Sequence, residues 1–159
     1  YKKPDGSYEG HILLDKHGAC KGNPGIGAYA ATIEYLDHKK EIYDVCENTT
    51  NNRMELMAVI EALKCLKYPC EVTLYTDSQY VQKGITEWIY NWKKKKWHAV
   101  KNVDLWQLLD SLNIYHKVTW CWIRGHDGNE GNEYVDKLAN LAIKNYQLSR
   151  LKQTIDIES

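Results

Sequence analysis

Val72-Thr73-Leu74-Tyr75-Thr76-Asp77-Ser78-Gln79-Tyr80 is the stretch whose reading decides the fold. Its apolar, β-branched opening reads as a buried strand, and Asp77 falls at the carboxyl end, where open α/β sheets put their chemistry. Burying an ionised carboxylate without compensation costs on the order of several kcal/mol, so the site calls for a cation or a bound metal. Three other acids suit a shared metal site: Glu55, Asp136 and Asp15.

Working outward, residues 1–10 are polar and carry Pro4, Gly6 and Gly10, so a loose N-terminal arm is expected. Ile12-Leu13-Leu14-Asp15 reads as a first strand. A turn at Gly22-Asn23-Pro24-Gly25 leads to a second strand through Tyr29, Thr32-Ile33 and Tyr35, and Asp37-His38-Lys39-Lys40 turns the chain into a third around Ile42–Val45. Thr50-Asn51-Asn52 offers caps for a helix from Arg53 to about Lys67, with Leu56, Val59, Ile60 and Leu63 on one face and Glu55 near its start. After Asp77 the pattern predicts a short helix ending near Gly84, a second from Thr86 through the lysine run, and a third from Val103 to about Leu112. Val118–Ile123 is the fifth strand and empties into the glycine-flanked loop around His126. A last helix begins around Asn132, carries Asp136 in its first turns and buries Val135, Leu138, Ala139 and Ala142. Residues 149–159 form a tail without a helical stripe, in which Thr154-Ile155-Asp156-Ile157 suits an edge strand or disorder.

The plan is one α/β domain over residues 11–148: a five-stranded mixed sheet, with an antiparallel three-strand meander and two parallel strands, flanked by helices. The strands before and after the first helix need a crossover, which makes that pair parallel. No apolar run is long enough to span a bilayer, and Tyr1-Lys2-Lys3-Pro4-Asp5-Gly6 leads into no apolar segment, so a soluble, unexported, cytoplasmic protein is expected. The five cysteines are odd in number and form no C-x-x-C pair, which fits reduced thiols better than zinc or disulfides. The net charge is zero, but Lys93, Lys94, Lys95, Lys96 and Lys101 lie within nine residues, interleaved with Trp92, Trp97 and His98. Such clustering is the footprint of a nucleic-acid ligand.

Taken together, Gly22-Asn23-Pro24-Gly25, Thr50-Asn51-Asn52-Arg53-Met54-Glu55-Leu56 and Thr76-Asp77-Ser78-Gln79-Tyr80 make the chain resemble the bacterial type 1 ribonucleases H. Trp88, Trp92, the lysine run, Asn102-Val103-Asp104-Leu105-Trp106, Gly125-His126 and Gly131-Asn132-Glu133 before Asp136 extend the likeness from residue 17 to about 142. The resemblance implies a ribonuclease H-like fold and an endonuclease that hydrolyses the RNA strand of RNA-DNA hybrids, leaving 3′-hydroxyl and 5′-phosphate ends. It implies Mg2+, or Mn2+ in its place, with two ions present when substrate is bound, and a monomer acting on the hybrid. Glu55, Asp77 and Asp136 match three of the family's four metal-binding carboxylates, and His126 matches its mobile-loop histidine. The helix after Gly84 and the lysine loop match its basic protrusion, with a loop between Trp97 and Lys101 shorter than the usual bacterial form.

One departure concerns the first carboxylate, which in the family directly precedes the glycine of D-G-[SA]-C. Here that position is His17, in His17-Gly18-Ala19-Cys20. Asp15 lies two residues upstream, on the same strand face but displaced by roughly 6 to 7 Å. Either Lys16-His17 is a local insertion and Asp15 takes the acid's place, or His17 replaces the acid and the chain is a hybrid-binding module with impaired catalysis. The first is favoured because the second pushes the Asp15 charge toward the core.

Hydrolysis of a phosphodiester needs stabilisation of both attacking and leaving oxygens, which two divalent ions about 4 Å apart provide. Oxygen ligands select magnesium or manganese over zinc. On that reading Asp15, Glu55, Asp77 and Asp136 hold metal, and His126, with an ordinary pKa of roughly 6.5, transfers a proton. The amides of Asn23, Asn51, Asn52 and Gln79, beside Gly22, suit minor-groove contacts to base edges and 2′-hydroxyls. Thr50, Trp88 and Asn102, by resemblance, grip a phosphate and sugar of the DNA strand. Lys93, Lys94, Lys95 and Lys101, with Trp97, supply sequence-independent affinity. Each position taken singly has a plain structural role: Asp77 as a cap, Glu55 and Asp136 as first-turn acids, His126 as a loop residue, the lysines as a solvated helix end. One shared site accounts for all of them at once.

Overall fold

The computed structural model describes the backbone of residues 8–14, 21–22, 25–35, 38–123 and 130–158; side chains are described for 25–34, 39–123 and most of 137–152. The elements in chain order are β1 (Tyr8–Leu14), β2 (Lys21–Gly22), β3 (Gly25–Tyr35), β4 (His38–Thr49), α1 (Asn51–Lys64), β5 (Cys70–Thr76), α2 (Gln79–Lys83), a π-turn (Gly84–Trp88), α3 (Ile89–Lys94), α4 (Val103–Tyr115), β6 (Lys117–Trp122) and α5 (Glu130–Glu158).

All six strands join one sheet. β4 pairs antiparallel with β3 along its whole length, which leaves β1 and the two-residue β2 to share the opposite edge of β3. β5 lies parallel to β1 and β6 parallel to β5. The count exceeds five because the short β2 returns to β3 after residues 15–20. The crossover joins strands of the same direction, as expected: α1 carries the chain from edge strand β4 over β3 to the free edge of β1, so β5 runs parallel to β4 while taking its hydrogen bonds from β1.

Strand alternation divides the apolar side chains between two layers. Tyr29, Ala31 and Ile33 of β3 join Leu56, Val59, Ile60 and Leu63 of α1, Val72 and Leu74 of β5, and Trp106 and Leu109 of α4 in the main core. Ala28 and Ala30 face the other way, against Ala142, Ile143 and Leu138 of α5. The alternation is the period-2 rule of a strand buried on both faces, and the alanines allow a close helix. Tyr146 and Arg150 of α5 both donate to Glu47 Oε1 of β4, which ties the helix down.

Several boundaries move from those expected. Tyr8, Glu9 and Gly10 are not part of a loose arm but extend β1, pairing with Cys70, Glu71 and Val72. α1 stops at Lys64, short of Lys67. α4 runs on to Tyr115, past Leu112. α5 starts at Glu130 and continues through residues 149–158, where no helical stripe was expected; no glycine or proline after Gly131 supplies a stop signal. α2 ends at Lys83, near Gly84 as expected, but with φ −59° and ψ −49° Gly84 stays right-handed and leads directly into the π-turn and then α3. Its role is room, because a Cβ there would lie 2.0 Å from Trp106 Cη2. Among the described residues, no helix is long and apolar enough to cross a membrane.

Candidate functional site

The site grows from the end of β5. Thr76 closes the strand, its Oγ1 accepts from the Ser78 amide at 3.0 Å, and the resulting turn carries Asp77, only 6% exposed. On the far side Ile123 N donates to Thr76 O at 2.9 Å and the Trp122 indole donates to the Asp77 carbonyl at 3.2 Å, so β6 clamps the turn. Ser78 then caps α2, accepting from Val81 N at 3.1 Å.

Glu55 arrives from α1. Thr50 caps that helix, accepting from Arg53 N at 3.3 Å, and one turn later Glu55 takes a 2.6 Å hydrogen bond from Ser78 Oγ to its Oε2. A single hydroxyl thus caps α2 and holds the carboxylate of α1. Glu55, Asp77 and Ser78 line one open pocket of about 420 Å³ with Asn52, Gln79, Tyr80 and Trp122. Its donors are oxygens and amides, with no thiol or imidazole among them, a set that fits a hard divalent ion. Among the described residues, no three His, Cys, Asp or Glu side chains come together as metal ligands. Asp15, His17, Asn23 and His126 lie outside the described residues, as does the side chain of Asp136, whose backbone falls within the first two turns of α5. Gly22 ends β2, paired with Gly25.

The expected gripping residues divide. Asn51 and Asn52 are exposed at the start of α1, and Gln79 is exposed at the start of α2. Beyond the π-turn, Trp88, Asn91, Trp92, Lys94 and Lys95 line a second shallow pocket of about 490 Å³. Its two tryptophans belong to an aromatic chain: Trp88 to Trp92 at 6.2 Å, Trp92 to Trp97 at 6.3 Å and Trp92 to Trp106 at 4.9 Å between centroids. Lys94, Lys95 and Lys101 are exposed, whereas Lys93 Nζ is engaged by Asp110 Oδ1 at 2.8 Å and anchors α3 to α4. The loop that follows holds Lys96, Trp97, Ala99 and Asn102 at positive φ.

Arg53, Ser78, Tyr80 and Trp122 are the contributors that motif reading passed over. Ser78 had a signal, a hydroxyl residue directly before a helix. Trp122 had none, since only the Thr76–Trp122 register brings its indole to Asp77. Arg53 forms a two-pronged pair with Asp104, at 3.2 and 2.9 Å, and this pairing holds the Asp104 carboxyl below the usual range.

A model of the RNase H family matches residues 13–144, most of the chain. The chain belongs to the ribonuclease H family. Members of this family are nucleases that act on RNA-DNA hybrids. A ribonuclease H of Francisella tularensis subsp. novicida is 57% identical over 137 residues, covering 83% of this chain and 90% of that protein. A ribonuclease H of Nitrosospira multiformis is 55% identical over 132 residues, covering 80% and 85%. Among solved structures, LC9-RNase H1, described as a type 1 RNase H with the type 2 active-site motif, superimposes with a TM-score of 0.78 at 30% identity over 86% of this chain and 72% of that one. RNase H1 of Halobacterium salinarum gives 0.65 at 25% identity, over 86% and 98%. The α/β architecture is therefore ribonuclease H-like.

Proposed function

We propose that the chain is a divalent-metal-dependent endonuclease that hydrolyses the RNA strand of RNA-DNA hybrids, leaving 3′-hydroxyl and 5′-phosphate ends. The observation that carries this is the convergence of Glu55 and Asp77, from two separate elements, on one oxygen-lined pocket held by Ser78. Asp15 and Asp136 complete the carboxylate set: Asp15 follows the end of β1, whose Leu13 stands level with Tyr75, and Asp136 lies early in α5. Two magnesium ions, or manganese in their place, supply charge stabilisation for the attacking and leaving oxygens when bound there.

The chain's own residues orient the substrate around that centre. Asn52 and Gln79, at the pocket rim, face the minor groove and its 2′-hydroxyls, with Gly22, Asn23 and Asn51 beside them. Thr50, Trp88 and Asn102 grip the DNA strand, and Lys94, Lys95 and Lys101 with Trp97 add counterion-release affinity. Lys93 contributes through its hold on α4. His126 moves a proton at the leaving oxygen. The protein acts as a cytoplasmic monomer, a reading supported by its cysteine usage and exposed basic arm. The rival reading, binding without turnover because of His17, gains no support from relatives named ribonuclease H.

The test is cleavage of an end-labelled hybrid, single-stranded RNA and duplex DNA in magnesium and in manganese, with Asp77→Asn and Asp15→Asn beside the native chain. Cutting confined to the RNA of the hybrid, lost in both variants, is expected. Binding without cutting in either metal, or cutting of duplex DNA, overturns the assignment; full activity of Asp15→Asn removes that residue from it.

A further inference from the structure

Asn102 is held from two sides, by α1, which carries Glu55, and by α2, which opens two residues after Asp77. From α1, two residues before Glu55, Arg53 Nη1 donates to Asn102 Oδ1 at 3.1 Å while the guanidinium also grips Asp104. From α2, three residues after Asp77, the Tyr80 hydroxyl accepts from Asn102 Nδ2 at 3.2 Å and from Trp106 Nε1 at 3.0 Å. The Tyr80 ring packs between Trp88 and Trp106, at 6.3 and 5.3 Å between centroids. Asn102 itself sits in the left-handed region, φ 57° and ψ 33°, with no side-chain cap on α4. Asparagine is the residue with a Cβ that adopts this backbone most readily, so the turn before α4 can present its side-chain amide without a large penalty.

We propose that Arg53 and Tyr80 are positioning residues that brace Asn102 at a fixed distance from the carboxylates, so that the DNA-strand grip is built before substrate arrives. The proposal rests on the functional reading above, which gives Asn102 its substrate. Both residues act through Asn102 and touch no reacting atom. Arg53 is suited to the task because its planar fork serves Asn102 and Asp104 together, which a lysine ammonium on a flexible stem cannot reproduce. Tyr80 is suited because one phenolic oxygen has lone pairs for two donors, and phenylalanine would keep the ring and remove the acceptor.

The test uses Tyr80→Phe and Arg53→Lys in the full chain and again in an Asn102→Ala background. Each single variant is expected to raise KM for a hybrid by about three- to tenfold, the loss of one ordinary hydrogen bond, while kcat moves by less than about twofold. In the Asn102→Ala background neither should raise KM further. In the free protein, Tyr80→Phe should shift the Trp106 indole and Asn102 side-chain amide NMR signals and speed their exchange with water. Unchanged KM, an equal rise in the Asn102→Ala background, or undisturbed indole and amide signals would overturn the brace. Failure of the native chain to cut a hybrid would instead fell the assigned function, while the NMR signals still judge the brace.

Discussion

Replacing Ser78 by alanine removes two interactions made by one oxygen, and their sum can be worked from the structure. The cap on α2, accepting from Val81 N at 3.1 Å, accounts for about 1 kcal/mol. The 2.6 Å bond to Glu55 is charge-assisted, but Glu55 is only half-buried and regains water when released, so about 1 kcal/mol is a fair share. The total, about 2 kcal/mol, lowers the midpoint of thermal unfolding by roughly 4 to 8 °C in a chain of this size. Glycine separates the parts: at an N-cap it costs only a few tenths of a kcal/mol, so Ser78→Gly should lose about two thirds as much as Ser78→Ala. Unfolding in urea followed by circular dichroism measures both. The same variants, titrated with magnesium, should need several times more metal for half-maximal hybrid cleavage, because Glu55 is no longer held. An unaltered metal titration with the stability loss intact would refute the link from Ser78 to the acid.

Three further outcomes follow from other parts of the molecule. Burial holds the His116 imidazole below its ordinary pKa, against an opposing pull from the Leu63 carbonyl, and Nδ1 accepts from Cys70 N at 3.1 Å. The unfolded chain then binds the extra proton first. Stability is full above about pH 6.5 and falls with acid through the window down to the folded value, by up to about 1.4 kcal/mol per pH unit; His116→Asn should flatten urea-midpoint profiles in that window, and an identical slope would count against it. Ala99, exposed at φ 59°, should be stabilised by about 0.5 to 1 kcal/mol on replacement by glycine, and a lower melting point would show that the loop is not strained there. Lys94→Ala with Lys95→Ala should reduce the slope of log affinity against log salt by about 1 to 2 while leaving the saturated rate nearly unchanged; collapse of that rate would give the lysines another task.

The positions of Asp77 and Glu55 were legible because each depends on local signals, a strand end and a helix start. Their meeting through Ser78 depends on sheet order, which periodicity does not carry. For the same reason the crossover could be read only as joining strands of one direction, and that β5 takes its hydrogen bonds from β1 shows only in the structure. Tyr8–Gly10 look like a loose arm by composition, yet the open edge of β5 gives their backbone partners. Lys93 belonged by charge to the gripping set, and only the approach of α4 shows its engagement by Asp110. Gly84 follows the end of α2 as its position suggested, but its second role, leaving room for an indole, shows only in the position of Trp106.

That last glycine has a consequence for how the basic arm could evolve or be engineered. Since the missing methyl is what lets the indole of Trp106 settle under the helical run from Gln79 to Lys94, any larger residue would have to lever the two apart. The lever would turn about the acidic end, where Ser78 is fastened to Glu55, and its far end carries Trp88, Lys94 and Lys95. One hydrogen in place of a side chain therefore sets how closely α4 packs beneath the arm that carries Trp88, Lys94 and Lys95.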